Sequence, residues 1–334
     1  MYAQAIPEQA CGRLLLNGIR SLTEKAINPN IMNGSSNRQG AEENMNSIER
    51  NQTCWCGSGL KYKKCHAEFD GKLRSFEAKG ITVPPRSIIK TPEQIQFIRE
   101  SGKVNTAILD HVSRHITAGM TTEDINTLVY DKTVQLGGRP AQLHFEGFPK
   151  SVCTSINNQV CHGIPSAGVV LEDGDIINVD VSTHYNGYYS DSSRMFTIGE
   201  VKEEHRRLVE TAKECMEMGL QQVEPWQRIG NVGAAINEHA RKNGYSVVIE
   251  AGGHGIGLEF HEEPWVGYVT RRDTGMLMVP GMIFTVEPMI NMGSRKVFTD
   301  ENDGWTIYTS DGKPSAQWET MVLVTETGHE VLAW

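Results

Sequence analysis

No apolar run in this chain approaches the roughly 18 residues that a membrane-spanning helix needs, which excludes a helical membrane protein. The first 44 residues lack the charged start, apolar stretch and small-residue cleavage site of a secretory signal, and they carry too many acids for a transit peptide. A cytoplasmic location is therefore expected. Positive charge is also short, with 32 Lys and Arg against 41 Asp and Glu and a net charge of -9. The whole chain thus has no electrostatic footprint for nucleic acid, and no specific DNA partner is expected. Cysteine is scarce and odd in number, seven in all. Cys54, Cys56 and Cys65 crowd together, while Cys11, Cys153, Cys161 and Cys215 lie far apart. That distribution excludes a disulfide framework and points to a metal site.

What is present, at 334 residues and 39% hydrophobic, suffices for one large domain and a small appendage. Residues 1–50 read as a flexible or disordered extension: residues 26–53 are rich in Asn, Ser, Gly, Glu and Gln without apolar periodicity, and Met45 is an alternative start. A cysteine module over 51–70 follows, then a linker over 71–87 ending near Val83-Pro84-Pro85, then a large domain over 88–334. Thr91-Pro92-Glu93-Gln94 opens a helix with a threonine cap, proline at the first position and glutamine three residues on. Its stripe is Ile95, Ile98, Ile108, Leu109 and Val112, and Gly119 is its expected end. A second helix is expected from Thr121-Thr122 to Gly137-Gly138. Two strands, 175–183 and 187–198, flank an Asn186-Gly187 hairpin signal. Helices over 202–223 and 228–243 and a strand-rich remainder repeat the order, so an α/β (α+β) domain of two structurally duplicated halves is expected.

Five metal-ligand types sit in apolar, strand-like or glycine-rich surroundings: Asp180, Asp191, His254, Glu287 and Glu319. Burying an unpaired carboxylate costs several kcal/mol, comparable to a domain's whole stability. A cation removes the anomaly, and one histidine with four carboxylates is an oxygen-rich set able to hold two divalent ions.

The blocks that carry these residues, Asn178-Val179-Asp180-Val181, Gly253-His254-Gly255-Ile256-Gly257 with Phe260-His261-Glu262-Glu263-Pro264, Thr285-Val286-Glu287-Pro288-Met289 and Ser315-Ala316-Gln317-Trp318-Glu319, resemble those of type I methionine aminopeptidases. So does Pro149-Lys150-Ser151-Val152-Cys153 through Cys161-His162-Gly163-Ile164-Pro165, and the likeness runs over residues 88–332 in the family's order. It implies a pseudo-two-fold "pita-bread" fold (the creatinase/aminopeptidase fold) holding two divalent ions, Co, Mn, Fe or Zn. It also implies that a water between them attacks the peptide bond after the initiator methionine of nascent polypeptides whose second residue is small. It further implies that Glu287 is both ligand and proton shuttle, and that His162 and His261 contact the substrate backbone and stabilise the tetrahedral intermediate. Phe145, Phe148, Cys153, Phe260 and Trp305 fall where the family lines its methionine pocket. Phe145 and Phe148 replace tyrosines common in relatives, and Gln142 replaces a cysteine found in some. By the same matching Asn157, Gln159 and Ser315 serve the monovalent-cation site of some relatives, and a monomer is expected.

Cys54, Cys56, Cys65 and His66 supply three thiols and an imidazole, the ligand count of a closed tetrahedral zinc site. The segment resembles the SEC-C zinc module at the end of the SecA translocation ATPase, with tryptophan where proline is frequent. Lys61, Lys63 and Lys64 make it basic, which suggests docking on the ribosome. Two alternatives remain open here: a prolidase or proline-specific aminopeptidase with the same ligand types, and a non-enzymatic pita-bread interaction module.

Overall fold

In the computed structural model, which describes residues 48–334, Thr91 caps the helix it announces. Its hydroxyl accepts the Gln94 N–H while the Gln94 side chain accepts the Thr91 N–H. The expected extension over 1–50 and the Met45 start lie outside the described residues apart from 48–50. Residues 49–334 form one compact unit. Its helices are α1 (Ala67–Glu77), α2 (Pro92–Ser113), α3 (Thr122–Gln135), α4 (Glu203–Leu220) and α5 (Gly230–Lys242). Helix α2 stops six residues before Gly119, and Gly119 instead gives its N–H to the Leu171 carbonyl in the loop that follows.

The strands run β1 (Arg139–Pro140), β2 (Cys153–Ile156), β3 (Gln159–Cys161), β4 (Ile176–Tyr185), β5 (Tyr188–Thr197), β6 (Ser246–Val247), β7 (Gly253–Gly255) and β8 (Glu262–Val266). They continue with β9 (Ile283–Val286), β10 (Met289–Asn291), β11 (Val297–Thr299), β12 (Ile307–Thr309), β13 (Ser315–Gln317), β14 (Thr320–Val324) and β15 (His329–Ala333). Strands β4 and β5 are the predicted hairpin. Asn186 and Gly187 both take positive φ, the two-residue turn whose twist matches the strands. In β4 the side chains alternate. Ile177, Val179 and Val181 join Ile108, Leu109, Val112, Ile125 and Val129 in a core under α2 and α3. Asn178, Asp180 and Ser182 therefore face the other way. A second core of Ile98, Ile256, Phe260, Ile283, Met321, Leu323 and Leu332 lies around the sheet ordered β15-β14-β9-β7-β8. A bridge between Ser193 and Glu319 joins the β5 side to the second half. This is the pita-bread arrangement, helix pairs backing strands in each half.

The expected linker over 71–87 is corrected in its first part: residues 71–77 continue α1 out of the cysteine module. The helix carries its own anchor. Phe69 meets Trp226 edge-on with centroids 5.4 Å apart, Phe76 stacks on it at 6.1 Å, and the Lys72 ammonium lies 3.7 Å from the ring centroid. Asp70, fully buried, accepts from the Tyr62 hydroxyl at 2.8 Å, Trp55 Nε1 at 3.3 Å and Arg86 Nη2 at 2.8 Å. One carboxylate thus ties the cysteine loop, α1 and the entry to the large domain. Removing one partner of a buried pair typically costs about 3–5 kcal/mol. Asp70→Ala is expected to lose stability on that scale and to expose the stretch 78–90 to protease, read by denaturant unfolding and timed proteolysis.

Candidate metal centre

Strand pairing brings the two aspartates together. Asp191 is the register partner of Ser182, two residues from Asp180, so both acids lie on one face of the β4–β5 hairpin. Ser182 Oγ donates to Asp191 Oδ1 at 2.8 Å, and Gln142 Nε2 donates to Asp180 Oδ1 at 3.3 Å. From the second half, His254 on β7 turns Nε2 to within 3.9 Å of Asp191 Oδ2 and 3.8 Å of Glu287 Oε1. Asp191, His254 and Glu319 each present a ligand atom within 4.8 Å of the others. Glu287, at the end of β9, accepts from Thr285 Oγ1 at 2.7 Å and Gln317 Nε2 at 3.2 Å, and its N–H donates to the Tyr268 hydroxyl.

The donor set fits divalent cations. His254 Nδ1 lies 3.0 Å from the Gly255 carbonyl; a proton donated there leaves the Nε2 lone pair facing two carboxylates. A lone pair aimed at anions is unfavourable without a cation between them. Burial, with the neighbouring acids adding to it, raises Asp191 and Glu319 well above the carboxylate range. Burial also lifts Asp180 to about 7 and Glu287 to about 8. His254 is depressed to about 4 by burial, so its imidazole is neutral. Four acids that resist ionisation beside a neutral histidine form a cage that positive charge would complete.

His261 stacks on Phe260 at 4.3 Å, meets His254 at 4.2 Å and lies 5.1 Å from Phe145. Burial, then the neighbouring His254 and His162, depress its pKa far below normal. His162 reaches solvent at the mouth of the site, yet the surrounding protein desolvates it enough to lower its pKa. Phe145 packs edge-on to Phe260 at 4.7 Å, and Phe148 to Trp305 at 5.2 Å, with His162 6.3 Å from Trp305. Cys153 is the register partner of Asp180, and burial keeps it a neutral thiol. Phe145 and Phe260 thus pack at His261, Phe148 and Trp305 lie toward His162, and Cys153 stands beside Asp180.

Asn157, Gln159 and Ser315 are brought together less completely. Ser315 N–H donates to the Asn157 carbonyl, but the Gln159 amide turns to Ile156 and Tyr308, and the Asn157 amide to Ile176 and Asp175. The cysteine module does converge. Cys54 Sγ and Cys65 Sγ each lie 3.2 Å from His66 Nδ1, and Cys56 Sγ is 3.5 Å from Cys65 Sγ. A tetrahedral ion with Zn–S near 2.3 Å separates its ligands by about 3.5–3.8 Å, so small relaxations would admit it.

Sequence reasoning overlooked Ser182, Thr285 and Gln317 as partners of the acids. Each stands two residues from a predicted ligand, on the same strand face, and that period was the signal available. It also overlooked the buried Lys90–Glu262 ion pair, whose Glu262 accepts the Leu258 and Glu259 N–H groups at 2.7 and 2.9 Å and fixes the turn beside His261. Nothing local marks that pair, since 172 positions separate its members.

A carboxylate–imidazole cage between two strand-and-helix halves defines a metal-dependent hydrolase of the pita-bread class. The chain belongs to metallopeptidase family M24, whose signature matches residues 96–326, and a SEC-C motif matches residues 50–68. It is 40% identical over 288 residues to a methionine aminopeptidase of Chlamydia pneumoniae, an alignment covering 85% of this chain and 98% of that relative. Among solved structures it superposes on the methionine aminopeptidase of Rickettsia prowazekii with a TM-score of 0.72 at 40% identity, covering 74% of this chain and 99% of that one. The methionine aminopeptidase of Thermotoga maritima gives the same TM-score at 35% identity, over 73% of this chain and 98% of that one.

Proposed function

We propose that this protein removes the N-terminal methionine from nascent polypeptides by hydrolysis, with a small second residue preferred. The observation that carries the reading is the neutral His254 facing Asp191 and Glu287 within a family of metallopeptidases. Asp180, Asp191, His254, Glu287 and Glu319 would hold two divalent ions, for which Mn, Fe, Co and Zn are all suited to the donor set. When bound, such ions lower the pKa of water and polarise a carbonyl. The remaining work belongs to the chain. Glu287, held by Thr285 and Gln317, accepts a proton from the attacking water and passes it to the leaving amine. His162 and His261, neutral at physiological pH, offer N–H groups to the substrate backbone and to the oxygen that gains charge. Phe145, Phe148, Phe260, Trp305 and the Cys153 thiol receive the methionine side chain, whose thioether is attracted to aromatic rings.

The SEC-C module, residues 51–70, would hold one zinc ion through Cys54, Cys56, Cys65 and His66. Its exposed Lys61, Lys63 and Lys64 favour ribosomal docking of a cytoplasmic monomer. No helix among the described residues is long and apolar enough to cross a membrane. A monovalent cation near Asn157, Gln159 and Ser315 would rely on main-chain carbonyls, since both amide side chains are engaged. The relatives reported above at 35–40% identity are methionine aminopeptidases, which does not favour the prolidase or non-enzymatic readings. The metal-loaded protein should release methionine from Met-Gly-Met-Met and leave Gly-Pro-Ala intact. Cleavage of the proline peptide, or inactivity on both with Mn, Co, Fe and Zn, would sink the reading.

The crowded acids also fix a pH dependence. A carboxyl whose pKa is raised on folding favours the fold below its unfolded pKa, about 4, and loses that contribution as pH climbs through the folded value. With Asp180 at about 7 and Glu287 at about 8, the metal-free protein should lose stability as pH rises from about 4 to about 8 and level off above that. Metal loading should flatten that slope and release protons at pH 7. Thermal melts across this range and calorimetry in buffers of different ionisation enthalpy measure both. A metal-free melt that does not fall with pH, or metal uptake without proton release, contradicts the expectation.

A further inference from the structure

Trp265 has no part in the machinery described so far, and it is 56% exposed. It stands on β8, the outer strand of the β15-β14-β9-β7-β8 sheet, directly opposite His254 in the β7–β8 register. Register partners project to the same sheet face, with Cβ atoms about 4.5–5.5 Å apart. The indole therefore lies on the face that carries the candidate metal centre, one strand further out. Glycine sits beneath it: a Cβ on Gly252 would come within 2.7 Å of the ring's Cζ2 and 3.1 Å of Cε2, and one on Gly267 within 3.4 Å of Nε1. The Nε1 edge of the ring thus lies against two glycines, and more than half of the residue remains open to solvent. Among the described residues its Nε1–H meets no acceptor, which leaves that donor unsatisfied within the chain. One indole offers at most about 250 Å², far below the 1,000 Å² or so that holds a second protein copy. A flat ring with one unsatisfied donor beside a peptide-cleaving centre suits an extended polypeptide.

We propose that Trp265 is a subsite for the third and fourth residues of the polypeptide substrate. Its exposed surface packs on their apolar side chains or peptide planes, and Nε1–H donates to a main-chain carbonyl. The inference rests on the aminopeptidase reading. An extended chain advances about 3.4 Å per residue, so a substrate whose first carbonyl lies at the metal centre passes the ring only after its second residue. Dipeptides are too short to reach it.

The test is the ratio of kcat/KM for Met-Ala-Phe-Leu to that for Met-Ala, measured with the metal-loaded full chain. Trp265→Ala should lower this ratio roughly two- to ten-fold, the scale of one aromatic contact, mainly through KM for the tetrapeptide. Trp265→Phe, which keeps a flat ring, should recover most of it. Trp265→Gln, which keeps the reach without the ring, gives the same readout if the alanine variant folds poorly. An unchanged ratio in both the alanine and glutamine variants overturns the subsite while leaving the aminopeptidase reading intact. An unchanged ratio with loss of self-association in sedimentation assigns the ring to a second copy and overturns it too. Failure of the wild-type protein to release methionine from either peptide removes the reading beneath it.

Discussion

Glu287→Ala in the metal-loaded protein is expected to lower kcat for methionine release by roughly 10²–10⁴-fold, the range attributed to a positioned acid–base group. The carboxylate has two tasks, as a ligand and as the only acid of the cage held by both Thr285 Oγ1 and Gln317 Nε2. The two losses separate by comparing Glu287→Ala with Glu287→Gln at saturating metal, with bound metal counted in each. Glu287→Gln retains an oxygen that can bind a cation but accepts protons poorly. If its rate stays within tenfold of wild type at equal metal content, Glu287 is not the proton carrier. Its raised pKa, about 8 through burial, describes the cage without cations. With positive charge beside it the ionised form is favoured, and the carboxylate is then ready to accept.

Stripping metal from the cysteine module, or replacing Cys65 with serine, should unfold residues 51–70 and leave the large domain standing. The module has few buried apolar side chains, Tyr62 and the cysteines Cys54 and Cys56 among them. Zinc in comparable small modules supplies about 10–16 kcal/mol of apparent folding energy, far more than this contact area provides. The Asp70 network takes Trp55 and Tyr62 from the module itself, and Phe69 and Phe76 of α1 pack on Trp226, so loss of the module should also loosen α1. Zinc content, protection of the 51–90 amides in hydrogen exchange and Trp226 fluorescence would report it. Unchanged protection in a zinc-free Cys65→Ser variant would show that packing alone holds the module.

Much of the frame was legible in the residues. The Thr91 capping box, the helix start at Thr121-Thr122, the Asn186-Gly187 turn and the paired helices are local features, set by side chains within a few positions of one another. Helix α1 was not legible as an anchor, because its partner Trp226 lies in a loop some 150 positions away and takes an unusual positive φ of 69°. The end of α2 was misread for the same reason: Gly119 bonds to Leu171, a distant partner that local pattern does not reveal. The acids of the candidate centre were visible as carboxylates placed where burial would be costly. Their supporting hydroxyls and amides were not, since Ser, Thr and Gln in strands are unremarkable until the strands are paired.

The sequence by itself determined which side chains alternate to one face, where the helices begin, and that four acids and a histidine stand in apolar surroundings, because propensity, capping and burial cost act over short stretches of chain. Only the tertiary structure decided that Ser182 supports Asp191, that His254 looks between Asp191 and Glu287, that Lys90 holds Glu262, and that Trp265 lies open beside His254. Those relations depend on strand register and on contacts between the two halves, which arise when distant segments pack.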